Sequence, residues 1–384
     1  MPDSNQVGLP PDLARTFEPV TRASHAPGAL YTDPAVLQRE MDSIFMREWL
    51  CLARSEEIAS PGDYMTFQVG SEPVMICRDK DMAPRAYANM CPHRGAKLVM
   101  GQGNSRAFVC PYHAWSFNLD GRLIGASWMA EAEGFDKTTC HLHEFHLREW
   151  GGWLFVSVAP DPQPFEDYIA VFDQKFGYVK MENLKIGVRL DAELNCNWKL
   201  MVENFLDFYH GKILHKDTVG RFLSTPDVTY DLRPEGQVYV DHYDVGTLSK
   251  DGKIFKKRIP TMADKPELFA QAAALPPNLS VFQRLDYTVF FTSWPIGPNR
   301  MRMTTMALWQ AEDLEGESGK KMTDEYIFML NKVLQEDFDM VESLQLALQS
   351  TSFVPGRMSR LEQGVQHFVQ HSIKRAYGDE DFRA

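Results

Sequence analysis

The sequence predicts an α+β fold with two domains, and three observations support this prediction. Short strand-like runs fill residues 63–158, a segment with three prolines follows at 159–164, and helical and strand patterns mix beyond it. The 384 residues exceed one ordinary domain, and 44% hydrophobic content suffices for a sizeable core. We therefore expect a small all-β domain at 48–160 and a larger domain at 161–384.

An N-terminal segment, residues 1–47, is predicted to pack on the larger domain. Its first thirty residues are rich in proline and polar groups. Asp33-Pro34 then opens an amphipathic helix. Its apolar residues recur at helical spacing, and they are Val36, Leu37, Met41, Ile44, Phe45 and Trp49.

The predicted β domain contains hairpins and one strongly apolar strand. Runs at 64–69 and 74–77 flank a Gly70-Ser71 turn, and residues 118–122 form a second tight turn. Residues 153–158 are strongly apolar, which is typical of a buried strand.

The larger domain is predicted to contain a strand pair and a long helix. Residues 287–294 and 301–309 read as strands joined by a Pro/Gly turn. Thr323 is the predicted N-cap of the helix. Its apolar stripe comprises Ile327, Leu330, Leu334, Val341, Leu344 and Leu348.

Charge and composition narrow the function classes. The net charge is −12, from 52 acidic and 40 basic residues, which disfavours nucleic acid or an anionic membrane as partner. No run of eighteen apolar residues appears, and the N-terminus has no secretory signal pattern. Six cysteines without disulfide-like spacing favour reduced thiols. We therefore expect a cytoplasmic protein.

Two loops in the β domain carry paired cysteine and histidine residues. Cys91 and His93 form a C-x-H motif, and Cys110 and His113 form a C-x-x-H motif. The single residue within C-x-H is too few for the usual Cys₂His₂ zinc finger. Two cysteines and two histidines suit a Rieske [2Fe–2S] cluster, with a zinc knuckle as the alternative.

A second metal site is predicted near His210 and His215. Residues 197–210 read as helix, with Glu203, Asp207 and His210 on one face. His210 and His215 would point about 140° apart on an unbroken helix. Gly211 can end the helix between them and let the two rings converge.

The third ligand of this site should be a carboxylate. Two histidines and one carboxylate leave positions open for dioxygen on Fe(II). Asp337 occupies a slot in the apolar stripe between Leu334 and Val341, where an ionised carboxylate is costly without a compensating cation. The alternatives are a partly exposed aspartate or a buried salt bridge.

Together these motifs resemble the catalytic α subunit of Rieske non-haem iron ring-hydroxylating oxygenases. The resemblance covers roughly residues 30 to 350. The matching segments are C-P-H-R-G at 91–95, C-P-Y-H-A-W at 110–115, N-W-K at 197–199, E-N-F-L-D-F-Y-H-G-K-I-L-H at 203–215 and E-D-F-D-M-V-E at 336–342.

The resemblance implies a role for each of these residues. It implies a small all-β Rieske domain and a catalytic domain of helix-on-antiparallel-sheet, helix-grip-like architecture. The cluster would be bound by Cys91, His93, Cys110 and His113, and the mononuclear iron by His210, His215 and Asp337. Asp207 would bridge an iron-ligating histidine and a cluster histidine of the neighbouring subunit, and Asn204 would neighbour the iron.

The resemblance also implies partners and a reaction class. A terminal oxygenase would use dioxygen and NAD(P)H electrons delivered by a separate reductase, sometimes with a ferredoxin, in a homotrimer with electron transfer between subunits. The chain has no G-x-G-x-x-G fingerprint of its own for a dinucleotide.

The substrate is less constrained by the sequence. Family members that act on quaternary ammonium compounds often have Glu where Asp207 stands, so we expect hydroxylation or dihydroxylation of a cyclic or aromatic substrate. The alternative is an N- or O-demethylating monooxygenase that acts on a quaternary ammonium or methoxy compound. An alternative from another class is a Rieske electron carrier without oxygenase activity.

Overall fold

A computed structural model of the protein describes residues 13–223, 228–242 and 246–378. One compact unit contains Phe45–Asp173, and the other contains the described residues before and after that range. The predicted domain boundaries, at 47/48 and 160/161, stay predictions. Among the described helices, none combines the length and apolar character that a bilayer crossing requires.

The helix predicted from Asp33-Pro34 begins where the sequence predicts, and a short helix that was not predicted precedes it. Helix α1 spans Ala29–Thr32, and α2 spans Pro34–Glu40. The Asp33 carboxylate caps α2 by accepting from the Ala35 N–H at 2.8 Å. The α-helix is shorter than predicted, because one π-helical turn, Met41–Phe45, replaces its last turn.

The Phe45–Asp173 unit is all-β apart from short helical turns and most of helix α3, Phe165–Phe176. Its antiparallel sheets have the strand orders β1-β10-β9, β4-β3-β2-β5 and β6-β7-β8. The strands are β1 Leu50–Arg54, β2 Asp63–Val69, β3 Glu72–Arg78, β4 Pro84–Ala88, β5 Gln102–Asn104, β6 Phe108–Val109, β7 Ser116–Phe117, β8 Leu123–Gly125, β9 His146–Trp150 and β10 Trp153–Ser157.

The predicted strands of this unit are confirmed. Val69 pairs with Glu72 across the Gly70-Ser71 turn, and every residue of β10 is buried. Cys91 and Cys110 belong to the same hydrophobic core as Phe108, Trp115 and Phe117. Both Cys/His loops are therefore anchored in packed structure.

The second unit packs helices on one antiparallel sheet of seven strands, as the α+β prediction expects. The strand order is β11-β17-β16-β15-β14-β13-β12. The elements are α3 Phe165–Phe176, β11 Leu184–Leu194, α4 Trp198–Leu206, α5 Gly211–Leu214, β12 Val228–Leu232, β13 Val238–His242, β14 Ala270–Leu275, β15 Leu279–Gln283, β16 Thr288–Gly297, β17 Arg300–Gln310, α6 Gly316–Leu348 and α7 Gln363–Tyr377.

The long helix α6 begins earlier than the sequence predicts. Its N-cap is Glu315, and the predicted cap Thr323 lies inside the helix. The Thr323 hydroxyl donates to the Lys320 carbonyl at 2.9 Å, so it is satisfied without ending the helix. The buried face also differs near the C-terminus, where Gln345 is buried and Leu344 is 46% exposed.

Helix α4 carries a buried acidic residue, Glu203, that faces the N-terminal segment. Tyr31 hydrogen-bonds to Glu203, and His25 and Lys199 lie close enough to act on its charge. His25 itself pairs with Glu362, with 3.1 Å between Nε2 and Oε1. Burial dominates over these contacts and raises the pKa of Glu203 from 4.5 to about 7.

We expect this carboxyl group to make folding stability depend on pH. Between pH 4.5 and 7 folded Glu203 keeps its proton and unfolded Glu203 releases it, so the free energy of unfolding falls as pH rises through this window. The loss should reach about 3 kcal/mol above pH 7, and Glu203→Gln should flatten this slope. Urea unfolding at pH 5, 6, 7 and 8 measures how the free energy of unfolding depends on pH. Glu182→Gln, at an exposed site, is the matched control, and equal slopes for both variants would contradict the assignment.

Candidate active site

Three side chains from separate parts of the chain converge in the second unit. They are His210, His215 and Asp337, and one ligand atom of each lies within 4.8 Å of the other two. Asp337 Oδ1 is 3.2 Å from His215 Nε2 and 3.6 Å from His210 Nε2. Two imidazoles and a carboxylate form the ligand set that leaves positions open on ferrous iron.

The two histidines converge because the chain turns at Asp207. Helix α4 ends at Leu206, since Asp207 Oδ1 accepts from the Tyr209 N–H at 2.7 Å and forms a turn. The prediction that one helix continues through His210 is therefore wrong. The prediction that Gly211 ends it is wrong too, because Gly211 begins α5.

The short helix α5 separates His210 from His215. His210 is its N-cap and His215 its C-cap, so the rings flank one helical turn and both approach Asp337. Glu203 does not share a face with them as predicted. It lies within α4 beside Tyr31, before the turn.

Asp337 lies on α6 at the predicted position in the apolar stripe. It is 4% exposed, and its Oδ1 has no hydrogen bond of normal geometry from any described residue. The polar groups nearest to this carboxylate are the two histidine rings. The alternative that Asp337 is partly exposed is therefore wrong. A buried carboxylate of this kind is costly unless a cation compensates it, so the site fits a divalent metal.

Two further carboxylates lie beside the histidine rings. Glu336 Oε2 lies 2.7 Å from His215 Nδ1 and also accepts from the Thr218 hydroxyl at 2.7 Å. Asp207 Oδ2 lies 3.2 Å from His210 Nδ1, without hydrogen-bond alignment. A proton held on each Nδ1 leaves each Nε2 lone pair facing Asp337, which is the tautomer that a metal ligand needs.

We expect Glu336→Ala to weaken iron binding without removing a ligand. Loss of the contact to His215 frees the ring to rotate, and such outer partners typically contribute about 10- to 100-fold to metal affinity. The affinity is measured by titrating the metal-free protein with Fe(II) and recording the melting temperature at each concentration. Asp339→Ala, at an exposed site on the same helix, should bind iron normally. Unchanged affinity in Glu336→Ala would contradict the orienting role.

Asn204 lies at the end of α4 and lines the same cavity as the histidines. Its backbone carbonyl accepts from the Asp207 N–H at 3.3 Å. The structure thus brings Asn204 beside the metal site, and its role there stays a prediction.

The two Cys/His loops of the other unit share one backbone conformation. The N–H of Gly95 donates to the Cys91 carbonyl at 2.8 Å, and that of Ala114 donates to the Cys110 carbonyl at 3.0 Å. Both donors have positive φ, +77° and +57°. Gly95 adopts this conformation freely, whereas Ala114 needs the surrounding loop to hold it.

The four predicted cluster ligands meet at the tips of these loops. His93 Nδ1 and His113 Nδ1 lie 3.1 Å apart, and the Trp115 ring stacks on His93. Cys91 and Cys110 are buried and hydrogen-bond to one another, while both histidines are exposed. The cysteine side of the site therefore lies in the core and the histidine side faces outward.

The grouping of these four side chains fits a cluster with two irons. The two cysteine thiols lie together, and the two histidine rings lie together. In a Rieske cluster the cysteines bind one iron and the histidines bind the other.

A cavity of about 220 Å³ adjoins the His/His/Asp site. Its lining contains both histidines, Asp337, Asp207 and Asn204. Aromatic side chains form much of the remaining wall, and they are Phe205, Phe208, Phe282, Tyr287, Phe291 and Tyr326. The cavity can therefore hold a small molecule beside a metal ion.

Sequence reasoning missed two polar contributors to this region. Glu336 precedes Asp337 directly, and its contact with His215 follows from the structure rather than from any spacing rule. Arg284 lines the cavity from a turn between two strands. No pattern in the sequence separates it from the other arginines.

Two family models match the chain. Residues 181–377 match the ring hydroxylating alpha subunit (catalytic domain), and residues 48–136 match the Rieske [2Fe-2S] domain. These two ranges contain the His/His/Asp site and the paired loops, respectively.

Curated relatives are similar to this chain at moderate identity. The carnitine monooxygenase oxygenase subunit of Acinetobacter baumannii is 37% identical over 205 residues, which is 52% of each chain. The match thus spans about half the length of that relative. The glycine betaine monooxygenase oxygenase subunit of Pseudomonas aeruginosa is 28% identical over 381 residues, 89% of this chain and 87% of the relative.

Solved structures share the fold over nearly the whole chain. One of them is a quaternary ammonium Rieske monooxygenase, whose structure concerns carnitine oxidation and inter-subunit electron transfer. It superposes with a TM-score of 0.79 at 25% identity, over 96% of this chain and 99% of that one. A naphthalene 1,2-dioxygenase from Rhodococcus sp. superposes with a TM-score of 0.75 at 20% identity, over 92% and 95%. The second likeness concerns the fold alone.

Proposed function

The chain belongs to the ring hydroxylating alpha-subunit family, with a Rieske domain before its catalytic domain, and we propose that it is a terminal oxygenase for a quaternary ammonium compound. One observation carries the oxygenase proposal: His210, His215 and Asp337 converge at an aromatic-walled cavity. An electron carrier needs neither the site nor the cavity. The relatives named for carnitine and glycine betaine support the substrate class.

The cofactors of the family are a Rieske [2Fe–2S] cluster and a mononuclear iron. We assign the cluster to Cys91, His93, Cys110 and His113, and the iron to His210, His215 and Asp337. When bound, the cluster supplies single electrons and the ferrous ion supplies dioxygen activation beside the substrate.

The chain's own residues prepare this chemistry. Glu336 accepts the Nδ1 proton of His215, which directs its Nε2 toward Asp337. Asp207 lies 3.2 Å from His210 Nδ1, where a small shift of either side chain would let it do the same for His210. The Asp207 side chain is 24% exposed, so an N–H group from outside the catalytic unit can reach it. The aromatic wall excludes water and positions the substrate.

The cavity wall suits a quaternary ammonium group. Such a cation has no N–H to donate, so proteins recognise it by the faces of aromatic rings. Phe205 and Phe291 lie with ring centroids 4.1 Å apart in this wall. The sequence-based preference for a cyclic or aromatic substrate rested on Asp207 and finds less support than its quaternary ammonium alternative, because the similar curated proteins are named for quaternary ammonium substrates.

The partners follow from the same assignment. The sequence shows no dinucleotide fingerprint, so we propose a separate NAD(P)H-dependent reductase, with or without a ferredoxin. We further propose a homotrimer in which Asp207 accepts from His93 or His113 of a neighbouring copy. The exposure of both loop histidines supports this arrangement.

A substrate panel with a surrogate reductase tests the proposal. Carnitine, glycine betaine, choline and simple aromatic acids should be offered in turn, with dioxygen uptake and product mass recorded together. We expect uptake with at least one quaternary ammonium compound, coupled to incorporation of one oxygen atom. Coupled turnover of the aromatic acids alone would overturn the substrate class.

A further inference from the structure

The cavity contains a second polar cluster besides the metal site. Arg284 lines it from the turn between β15 and β16, and Tyr287 and Tyr326 line it beside Arg284. The remaining wall is mostly apolar. A guanidinium group in such a wall is costly unless an acceptor compensates it.

The turn holds Arg284 in a fixed place. Its N–H donates to the Tyr287 carbonyl at 2.9 Å, and its carbonyl accepts from Gln283 Nε2 at 2.5 Å. The turn is packed in protein rather than exposed, since Leu285 and Asp286 are buried. The cluster therefore sits on rigid backbone, as a specificity site requires.

Arg284 has no carboxylate partner among the residues that the structure describes. Its guanidinium lies beside the Tyr287 hydroxyl, a neutral group. Asp286, two residues on, gives its Oδ2 instead to the N–H groups of Phe255 and Lys256, at 2.7 and 3.2 Å. Arg284 thus forms no ion pair with Asp286, the carboxylate nearest to it in sequence, although both charges act on Tyr287 and Tyr326.

Tyr326 supplies an independent indication of a ligand. It is fully buried, and its hydroxyl makes no hydrogen bond of normal geometry with any described residue. The Tyr287 hydroxyl accepts from the Leu248 N–H at 3.3 Å, which leaves its own proton to donate. Burial raises the pKa of both tyrosines, so each is a neutral donor at physiological pH.

We propose that Arg284, Tyr287 and Tyr326 bind the carboxylate of the substrate, which makes the preferred substrate a zwitterion. This inference rests on the proposed function and narrows it from quaternary ammonium compounds in general to those that carry a carboxylate. A carboxylate has two oxygens that can accept from a guanidinium fork and from two hydroxyls at once. The ammonium group would then lie toward Asp207 and the paired rings of Phe205 and Phe291.

Equilibrium binding to the purified holoenzyme without reductase tests the assignment. Glycine betaine and carnitine carry a carboxylate, and choline is the matched cation that lacks one. We expect Arg284→Gln to raise the dissociation constants of the two betaines by about 10- to 100-fold and that of choline by less than about twofold. Calorimetry measures all three ligands on the same preparation.

A second variant keeps the test decisive if Arg284→Gln fails to fold. Tyr326→Phe removes only a hydroxyl whose polar neighbour is the Tyr287 hydroxyl, with no hydrogen bond of normal geometry to lose, so its folding should be normal. We expect about 5- to 10-fold weaker betaine binding and unchanged choline binding. Lys257→Gln is the matched control for charge, because Lys257 is exposed and does not line the cavity.

The outcomes separate this inference from the proposed function. Equal loss of betaine and choline binding in Arg284→Gln, or equal affinity of the wild type for all three, would overturn the carboxylate site while quaternary ammonium turnover still stands. If Lys257→Gln, rather than Arg284→Gln, loses the preference for betaines over choline, that preference comes from cations on the surface. Failure of every quaternary ammonium compound to support dioxygen uptake would overturn the proposed function itself.

Discussion

Replacement of Asp337 by alanine should empty the mononuclear site and leave the cluster intact. Iron content should fall from about three to about two per chain, and the spectrum of the [2Fe–2S] cluster should persist. The physical reason is that Asp337 supplies the single negative charge among the three proposed ligands, and its Oδ1 faces both Nε2 atoms. Substrate oxidation should disappear with the iron.

A stability measurement gives a readout that does not depend on turnover. Ferrous iron should raise the melting temperature of the metal-free wild type, because a ligand present at about 100 times its dissociation constant adds about 2.7 kcal/mol. Asp337→Ala should show no such shift. Asp339→Ala is the matched control, since Asp339 is exposed two residues away and accepts from Gln335.

A different pattern of iron loss among the variants would assign the third ligand to another carboxylate. If Asp337→Ala keeps three irons while Asp339→Ala or Glu336→Ala loses one, the carboxylate ligand lies at one of those positions instead. The distances make this outcome unexpected for Glu336, whose Oε2 contacts His215 at Nδ1, the nitrogen that faces away from Asp337.

Asp207→Asn should retain all the iron and lose turnover by at least about 100-fold. A carboxylate can accept from an N–H on each side, whereas an amide presents its NH₂ group to one of them. In this chain one side is His210 Nδ1 at 3.2 Å, and the other is open to a partner's N–H. The variant thus removes one half of the proposed bridge and keeps the fold.

Two controls distinguish bridging from a general structural effect. Asp217→Asn changes an exposed aspartate in the same segment and should turn over normally. Asp207→Glu keeps two acceptor oxygens and should recover a large part of the activity. Normal turnover in Asp207→Asn would disprove the bridge, and loss of iron would reassign Asp207 to ring positioning alone.

Several features of the protein were predictable from short segments of sequence. Cys91, His93, Cys110 and His113 lie in two loops whose backbones follow from proline, glycine and the local hydrogen bonds. Strands such as β10 are strongly apolar, and their burial follows from composition. Such features depend on neighbours in sequence, and hence periodicity and motif spacing suffice to predict them.

The predicted helix ends were wrong where the hydrogen bond of one side chain overrides helical periodicity. Asp207 ends α4 through its contact with the Tyr209 N–H, although the residues beyond it continue a helical pattern. Thr323 resembles an N-cap, yet its hydroxyl bonds inside the helix and Glu315 precedes the true first turn. In both cases a polar side chain had two local hydrogen-bonding options of similar energy.

The sequence by itself determined the two-domain α+β class and predicted the ligands of the cluster and of the iron. Tertiary structure decided how His210, His215 and Asp337 meet, which carboxylates orient the rings, and that Arg284 and Tyr326 share a cavity with them. The physical reason is that these contacts join residues far apart in the chain. Their geometry depends on how α4, α6 and the seven-stranded sheet pack, which no local pattern encodes.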